Sequence, residues 1–309
     1  MGDPLMDGVA ELGLVGVGNI GSVFADAFLK AGHRVVGFSR PENDGFKERG
    51  GISANTARDI AQAVELVFCC LPDERAAEEC YGGPDGVLAG LRPASIVVDL
   101  ASYTLPFKSH LAEQVAQAGA LMIDGEVSGT PDMLRSGGGS IYLAGDAAAV
   151  ELCLPFCGLV TGEVFNLGSF GAATKMKLVN NLLSAVHTAA AAEAMALGVK
   201  VGFQPDLLAK VLASGSGSSK FLVSRAPVMA SRQFDSSTGR LSVFSKYLEH
   251  IPDLADNAGC ATPLFDAARR CFQAALDRGW GSRDIAVVYD VIQEMSRSDH
   301  TVPEQHEPT

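Results

Sequence analysis

The sequence predicts an α/β fold in two parts: a doubly wound, largely parallel sheet, then a long helix leading into an all-α part. Three observations carry this. Residues 12–40 read as apolar strand, glycine turn, amphipathic helix and second apolar strand. Short apolar runs then keep alternating with amphipathic ones, the pattern of repeated right-handed β-α-β units. Finally, residues 171–197 contain no proline and are dominated by alanine and leucine. At the α-helical rise such a run is about 40 Å long, too long to cover a sheet, and it marks a connection between domains.

The first strand spans residues 12–17, the helix 24–29, and a Gly32-His33 stop precedes the second strand at 35–38. Gly16, Gly18 and Gly21 fall at G-x-G-x-x-G spacing between the first strand and the helix. In that context Gly16 permits the tight turn, Gly18 lets the backbone approach a pyrophosphate, and Gly21 lets helix and strand pack closely. The helix start, at Asn19 and Ile20, offers N–H groups and a positive dipole end to phosphates. This is a Rossmann-type dinucleotide site. At the end of its second strand an NAD site usually carries a carboxylate for the ribose 2′-OH. Here the position reads Phe38-Ser39-Arg40, with no carboxylate before Glu42. A hydroxyl and a guanidinium suit a 2′-phosphate, so NADP is expected over NAD, with NAD possible. The competing reading makes Arg40 a surface residue that opens a loop.

Residues 64–71 form the next buried strand, and Leu71 and Pro72, where it runs out, are candidate cofactor contacts. Residues 74–81 read as a short helix and 95–100 as a strand ending at Asp99. The loop ASYTLP follows at the carboxyl edge of the sheet, where Ser102 or Thr104 could meet the nicotinamide or merely cap the helix expected at 107–118. Another strand is expected at 121–124, followed by DGEVSG and Thr130-Pro131. Ser128, Gly129 and Thr130 then offer a hydroxyl and backbone N–H groups as a nest for a substrate carboxylate. A glycine-rich hairpin, with a strand at 141–143, is the alternative.

Within the long helix, Lys177 and Asn181 are four residues apart and share a face, whereas Lys175 lies about 200° around from Lys177. A lysine near the start of a buried helix loses proton affinity and suits general acid–base work. An ordinary surface lysine pair is the plain alternative. His187 falls off that face and reads as a core histidine. The alanine-rich run around it reads as the core of the second domain and a candidate subunit interface. Helical runs fill residues 205–296. The expected organisation is a Rossmann domain at 1–167, an all-helical domain at 168–298 and a disordered tail at 299–309.

The chain of 309 residues is 47% hydrophobic and 19% charged, hence globular. Its net charge of −12 argues against nucleic acid as a partner and leaves anion binding to local positive groups. No uncharged apolar run of about 18 residues occurs, so no membrane span is expected. The acidic N-terminus lacks signal-peptide regions. The seven cysteines are irregularly spaced and complete no metal site, which fits reduced thiols and a cytoplasmic location.

Four separated segments together resemble the β-hydroxyacid dehydrogenases, the family of 3-hydroxyisobutyrate dehydrogenase and tartronate semialdehyde reductase. They are GLVGVGNIG; DGEVSGT, similar to D-A-P-V-S-G-G; KLVNN at 177–181, similar to K-x-x-N-N; and FSKYLEHIPDLADNAGCATPL, in which Lys246 leads an A-x-x-x-G-x-x-x-P pattern. The resemblance implies a Rossmann domain, an interdomain helix and a C-terminal all-α domain. It implies hydride transfer between nicotinamide and a small anionic hydroxy acid or semialdehyde. It assigns Lys177 as the acid–base group and Asn181 as its orienting partner. Ser128 and Gly129 would bind the substrate carboxylate, and Lys246 would lie over the cofactor. A homodimer or homotetramer is expected. Several residues depart from the pattern: Thr130 replaces a glycine, Glu126 a proline, Tyr247 an aspartate and Ala173 a glycine. Lys220, Phe221 and Arg225 are candidates for the substrate's distal end. An imine reductase shares this architecture, though such enzymes often lack the lysine. A non-catalytic NADP-binding scaffold is a third reading, opposed by the retention of Ser128, Lys177 and Asn181.

Overall fold

A computed structural model describes residues 10–41, 43–235 and 239–298. The acidic N-terminal segment up to residue 9, Glu42 and the expected tail at 299–309 lie outside the described residues. The chain forms two compact units, one ending at Lys177 and the other starting at Leu178.

The first unit runs β1 (Glu11–Val15), α1 (Asn19–Lys30), β2 (Arg34–Phe38), α2 (Asp44–Glu48), β3 (Ile52–Ser53), α3 (Ala57–Ala63), β4 (Leu66–Cys69) and α4 (Glu74–Tyr81). It continues through α5 (Val87–Gly90), β5 (Ile96–Asp99), α6 (Leu105–Gln117), β6 (Leu121–Ser128), α7 (Pro131–Arg135), β7 (Ser140–Ala144), α8 (Ala147–Gly158) and β8 (Val164–Asn166). These strands make one sheet of order β3-β2-β1-β4-β5-β6-β7-β8. Every ladder is parallel except β6 with β7. The order reverses between β1 and β4, so the crevice where ligands bind in doubly wound sheets opens at their carboxyl ends.

The apolar strands are continuous rather than alternating because both faces are covered. Leu12, Leu14, Phe68 and Val98 pack into one layer with Phe24 and Phe28 of α1. Val15, Val67, Cys69 and Val97 pack into the opposite layer with Ile60, Tyr81 and Leu111. Phe28 and Phe68 meet at a ring-centroid distance of 5.1 Å. Local signals set the helix starts: Thr56 and Asp59 form a reciprocal capping box on α3, and Asp73 caps α4.

The sequence reading missed α2, β3, α3, α5, α7, α8 and β8. β3 has only two residues, too few for a periodic signal, and α8 carries Pro155 inside it. One expected boundary is corrected. β6 does not stop at Asp124 but runs to Ser128, because its last five residues pair antiparallel with β7, Asp124 opposite Ala144 and Ser128 opposite Ser140. DGEVS is therefore strand, and only Gly129 begins the turn.

The long helix α9 (Ala172–Lys200) starts in the first unit and supplies the core of the second. The second unit adds α10 (Pro205–Ser214), α11 (Lys220–Ser231), α12 (Leu241–Ala258), α13 (Pro263–Asp277) and α14 (Val288–Ser298). By length and composition α9 could cross a membrane, but half of its most apolar window is buried inside the protein. Its small residues Ala185, Ala192 and Ala196 pack there against larger ones such as Phe265 and Phe272. His187 is half-buried. Arg225 of α11 donates to the fully buried Asp284 at 2.9 Å. Because Arg225→Ala would leave that carboxylate buried and uncompensated, it is expected to cost about 3–5 kcal/mol. Denaturant unfolding checks this, and a loss below about 1 kcal/mol would show that the pair is not structural.

Candidate active site

The glycine turn is built as the motif requires. Gly16 has a φ of +95°, and a Cβ there would come within 2.5 Å of the Cys70 carbonyl oxygen. A Cβ on Gly21 would collide with the Gly16 carbonyl oxygen, whereas one on Gly18 would meet nothing within 4 Å. Gly16 and Gly21 are thus required by the fold, and Gly18 leaves space in front of the backbone. Gly18 also precedes α1 without a side-chain cap, and Asn19 is exposed. The first-turn N–H groups at Asn19 and Ile20 have no side-chain cap, an arrangement suited to an anion.

Beside the turn, a cavity of about 200 Å³ is lined by Val17, Phe38, Ser39, Asn43 and Phe46 among others. Asn43 shapes it, donating to the Val17 carbonyl at 2.9 Å while its side-chain oxygen caps α2. Ser39 donates to the Pro41 carbonyl at 3.0 Å. Arg40 pairs with Glu79 at 3.0 Å and its guanidinium is more than half exposed. An exposed pair of this kind is worth at most about 1 kcal/mol, so the guanidinium can be drawn to a phosphate. Leu71 is buried against Gly16, and Pro72 is exposed. These residues fit a dinucleotide: a glycine cradle, a helix start suited to a pyrophosphate, a cavity at the end of β2 lined by the Ser39 hydroxyl, and Arg40 next in sequence.

Further along the sheet lies a cluster that the sequence reading missed. Lys108 of α6 is fully buried. Its ammonium donates to the carbonyls of Ala101 at 2.9 Å and Gly125 at 2.8 Å, and it lies 3.0 Å from the Asp124 carboxylate. Those three acceptors match its three protons. Glu126 and Asp99 stand farther off, at 3.7 and 3.8 Å. Burial opposes the charge on Lys108, but Asp124, Glu126 and Asp99 outweigh it and hold the ammonium well above its ordinary range. Asp124 is itself opposed by burial, yet Lys108 and the bonds from Thr174 keep its carboxyl below its usual range. For Asp99 burial prevails over Lys108 and the Tyr81 hydroxyl, which donates at 2.7 Å, and its affinity for a proton rises. The signal was present: three carboxylates in apolar strands demand a buried cation, and Lys108 shares the inward face of α6 with Leu111 and Val115.

Asp124 also anchors the start of α9. It accepts from the Thr174 backbone N–H at 3.0 Å and from the Thr174 hydroxyl at 2.7 Å. One turn later Lys177 donates from Nζ to the Val127 carbonyl at 2.6 Å, next to Ser128 and Gly129. Lys177 is half-buried and Lys175 exposed, as their helical phase requires. Thr130 caps α7, accepting from the Met133 N–H at 3.3 Å. Of the two readings of Ser102 and Thr104, the side-chain cap of α6 does not occur. The Ser102 hydroxyl donates to Glu126 at 2.5 Å, and Thr104 donates to Glu74 at 2.7 Å. The helical unit carries the other two assigned residues. Asn181 is buried on α9, its side-chain oxygen shared by Asn180 and Ser184 and its amide nitrogen without a hydrogen-bond partner among the described residues. Lys246 lies on α12 with its ammonium 5.4 Å from the centre of the Tyr247 ring.

Comparison with known proteins matches the chain in two consecutive parts. Residues 11–168 match the profile of the NAD binding domain of 6-phosphogluconate dehydrogenase, and residues 171–292 that of the NAD-binding region of NADP-dependent 3-hydroxyisobutyrate dehydrogenase. L-threonate dehydrogenase of Cupriavidus necator is 30% identical over 284 residues, which cover 91% of this chain and 95% of that protein. The structure of 3-hydroxyisobutyrate dehydrogenase from Salmonella typhimurium has a TM-score of 0.82 and 25% identity over 91% of this chain and 99% of its own. Psf3, solved in complex with NADP+ and 2-OPP, has a TM-score of 0.81 and 25% identity over the same shares. Two profiles that between them span both units, and a relative matched along nearly its whole length, show that this chain belongs to the β-hydroxyacid dehydrogenase family, the family of 3-hydroxyisobutyrate dehydrogenase.

Proposed function

We propose that the protein is an NADP-preferring dehydrogenase or reductase that interconverts a small β-hydroxy acid, or a related hydroxy acid, with its aldehyde or ketone, using Lys177 as general acid–base. The observation that carries this reading is the 2.6 Å contact from Lys177 Nζ to the Val127 carbonyl, which holds the amine beside Ser128 and Gly129. When bound, the nicotinamide supplies the hydride acceptor in one direction and the donor in the other.

The chain's own residues then divide the work. In oxidation, neutral Lys177 takes the proton of the substrate hydroxyl. In reduction, its ammonium donates that proton to the carbonyl oxygen and stabilises the negative charge developing there. Ser128, Gly129 and Thr130 hold the substrate carboxylate through a hydroxyl and backbone N–H groups. Asn181 orients the substrate or the lysine. Gly16, Gly18 and Gly21, with the N–H groups at Asn19 and Ile20, cradle the pyrophosphate. Ser39 and Arg40 take the 2′-phosphate, and Leu71, Pro72, Ser102 and Lys246 border the rest of the cofactor. The proposal includes a cytoplasmic location and a homodimer or homotetramer. Exposed apolar residues of the helical unit, Leu197 and Val201 at 65% and Phe203 and Leu207 at 57%, support the oligomer.

Two substitutions test the assignment. Lys177→Ala is expected to lower turnover by about 10²–10⁴-fold while NADP+ affinity is retained. Absorbance of the reduced nicotinamide, followed over a panel of small 2- and 3-hydroxy acids, reads it; undiminished turnover would remove Lys177 from the chemistry. Arg40→Asp is expected to reduce the preference for NADP over NAD by about 10–100-fold, the value of a charged hydrogen bond. Initial rates with both cofactors decide it, and an unchanged ratio would contradict the 2′-phosphate role.

A further inference from the structure

Glu126 is buried to 1% exposure in β6, yet little holds its charge. Lys108 spends its three protons on Ala101, Gly125 and Asp124, leaving Glu126 at 3.7 Å. Of the two Glu126 oxygens, Oε2 accepts from the Ser102 hydroxyl and Oε1 makes no hydrogen bond among the described residues. A buried carboxylate with so few donors is expensive, so its proton occupancy is open to influence from any nearby cation.

The groups that face it come from five directions. Asp124 precedes it by two residues and so shares its face of β6. Asp99 stands at the end of β5, the adjacent strand. Lys108 reaches in from α6. Tyr142 of β7 lies directly across the ladder. From α9 comes Lys177, whose ammonium is bonded to the carbonyl of Val127, the residue next to Glu126. Asp99, Asp124 and Glu126 set three carboxyl groups against the single ammonium of Lys108. A second positive charge, on Lys177, relieves that imbalance most when Glu126 is ionised.

We infer that Glu126 is a positioning residue for the charge on Lys177: the ionised carboxylate holds Lys177 as the ammonium, and protonation of Glu126 frees Lys177 to act as a base. This rests on the acid–base role proposed for Lys177. Burial pushes the Glu126 carboxyl up to about 7, against the pull of Lys108, Lys177 and Ser102, so its charge changes in the neutral range where the two states of Lys177 matter. The coupling is reciprocal. A proton gained by Lys177 during oxidation favours loss of one from Glu126, which keeps the net charge of the buried cluster nearly constant through the proton transfer.

The test reads Lys177 directly. In protein labelled with 13C at the lysine ε-carbon, Lys177→Ala identifies the Lys177 resonance, and its titration is followed with and without NADP+. Glu126→Gln keeps the shape and removes the charge. It is expected to lower the Lys177 midpoint by about one pH unit. The acid limb of kcat/KM for oxidation should move down by the same amount. An unchanged midpoint in folded Glu126→Gln overturns the inference and leaves Glu126 a structural partner of Lys108. Should that variant fail to fold, Ser102→Ala removes the carboxylate's hydrogen-bond donor, favours neutral Glu126 and is expected to shift the Lys177 midpoint in the same direction; no shift there overturns it equally. The two readings fail separately. Full turnover in Lys177→Ala would dismiss the catalytic role while the NMR midpoint still reports whether the two charges are coupled.

Discussion

The carboxylate of Asp124 is the interaction on which the rest of the site depends. It joins three elements at once: its own strand β6, helix α6 through Lys108, and the first turn of α9 through both donors of Thr174. Buried ion pairs return little net stability once their desolvation is counted. What this one supplies is geometry. With Thr174 fixed on β6, Lys177 one turn later can reach only a short stretch of the same strand, and it bonds the carbonyl of Val127. The antiparallel pairing of β6 with β7 holds that strand straight through Ser128, so the turn at Gly129 opens next to the lysine.

The same sheet carries the nucleotide half of the site, at the reversal between β1 and β4. A chain with a net charge of −12 does not attract a dinucleotide or a hydroxy acid through its overall field. Attraction must come from short-range groups. Within the first unit, the uncapped start of α1, the half-exposed Arg40 and Lys177 are the donors suited to it. The helical unit rests on a different principle, alanines on α9 that allow close packing around Phe265 and Phe272.

The fold was readable in the sequence where periodicity was strong. The glycine turn, β1, β2, α4 and α9 follow from apolar runs and their breaks. The two-residue β3 and the proline-containing α8 were not readable, because tertiary packing and not local pattern sustains them. At the candidate site, Lys177, Ser128 and Gly129 came from motif spacing. The extension of β6 to Ser128 did not, since the glycines at 137–139 suggested a loose hairpin and gave no hint of the register. The buried cluster escaped for another reason. Three carboxylates in apolar strands signalled a buried cation, but Lys108 and Asp124 are 16 residues apart, Glu126 looked like a mere departure from a family motif, and the fold is needed to show which charges meet.

The central claim is that the lysine anchored through Thr174 and Asp124 exchanges a proton with the substrate oxygen. A crystal structure of the protein with NADP+ and a hydroxy acid that it oxidises tests this most directly. The account expects Lys177 Nζ within about 3 Å of the substrate hydroxyl, with the carboxylate on Ser128 and the Gly129 N–H. A hydroxyl bound to another titratable side chain, with Lys177 still on the Val127 carbonyl, would contradict it.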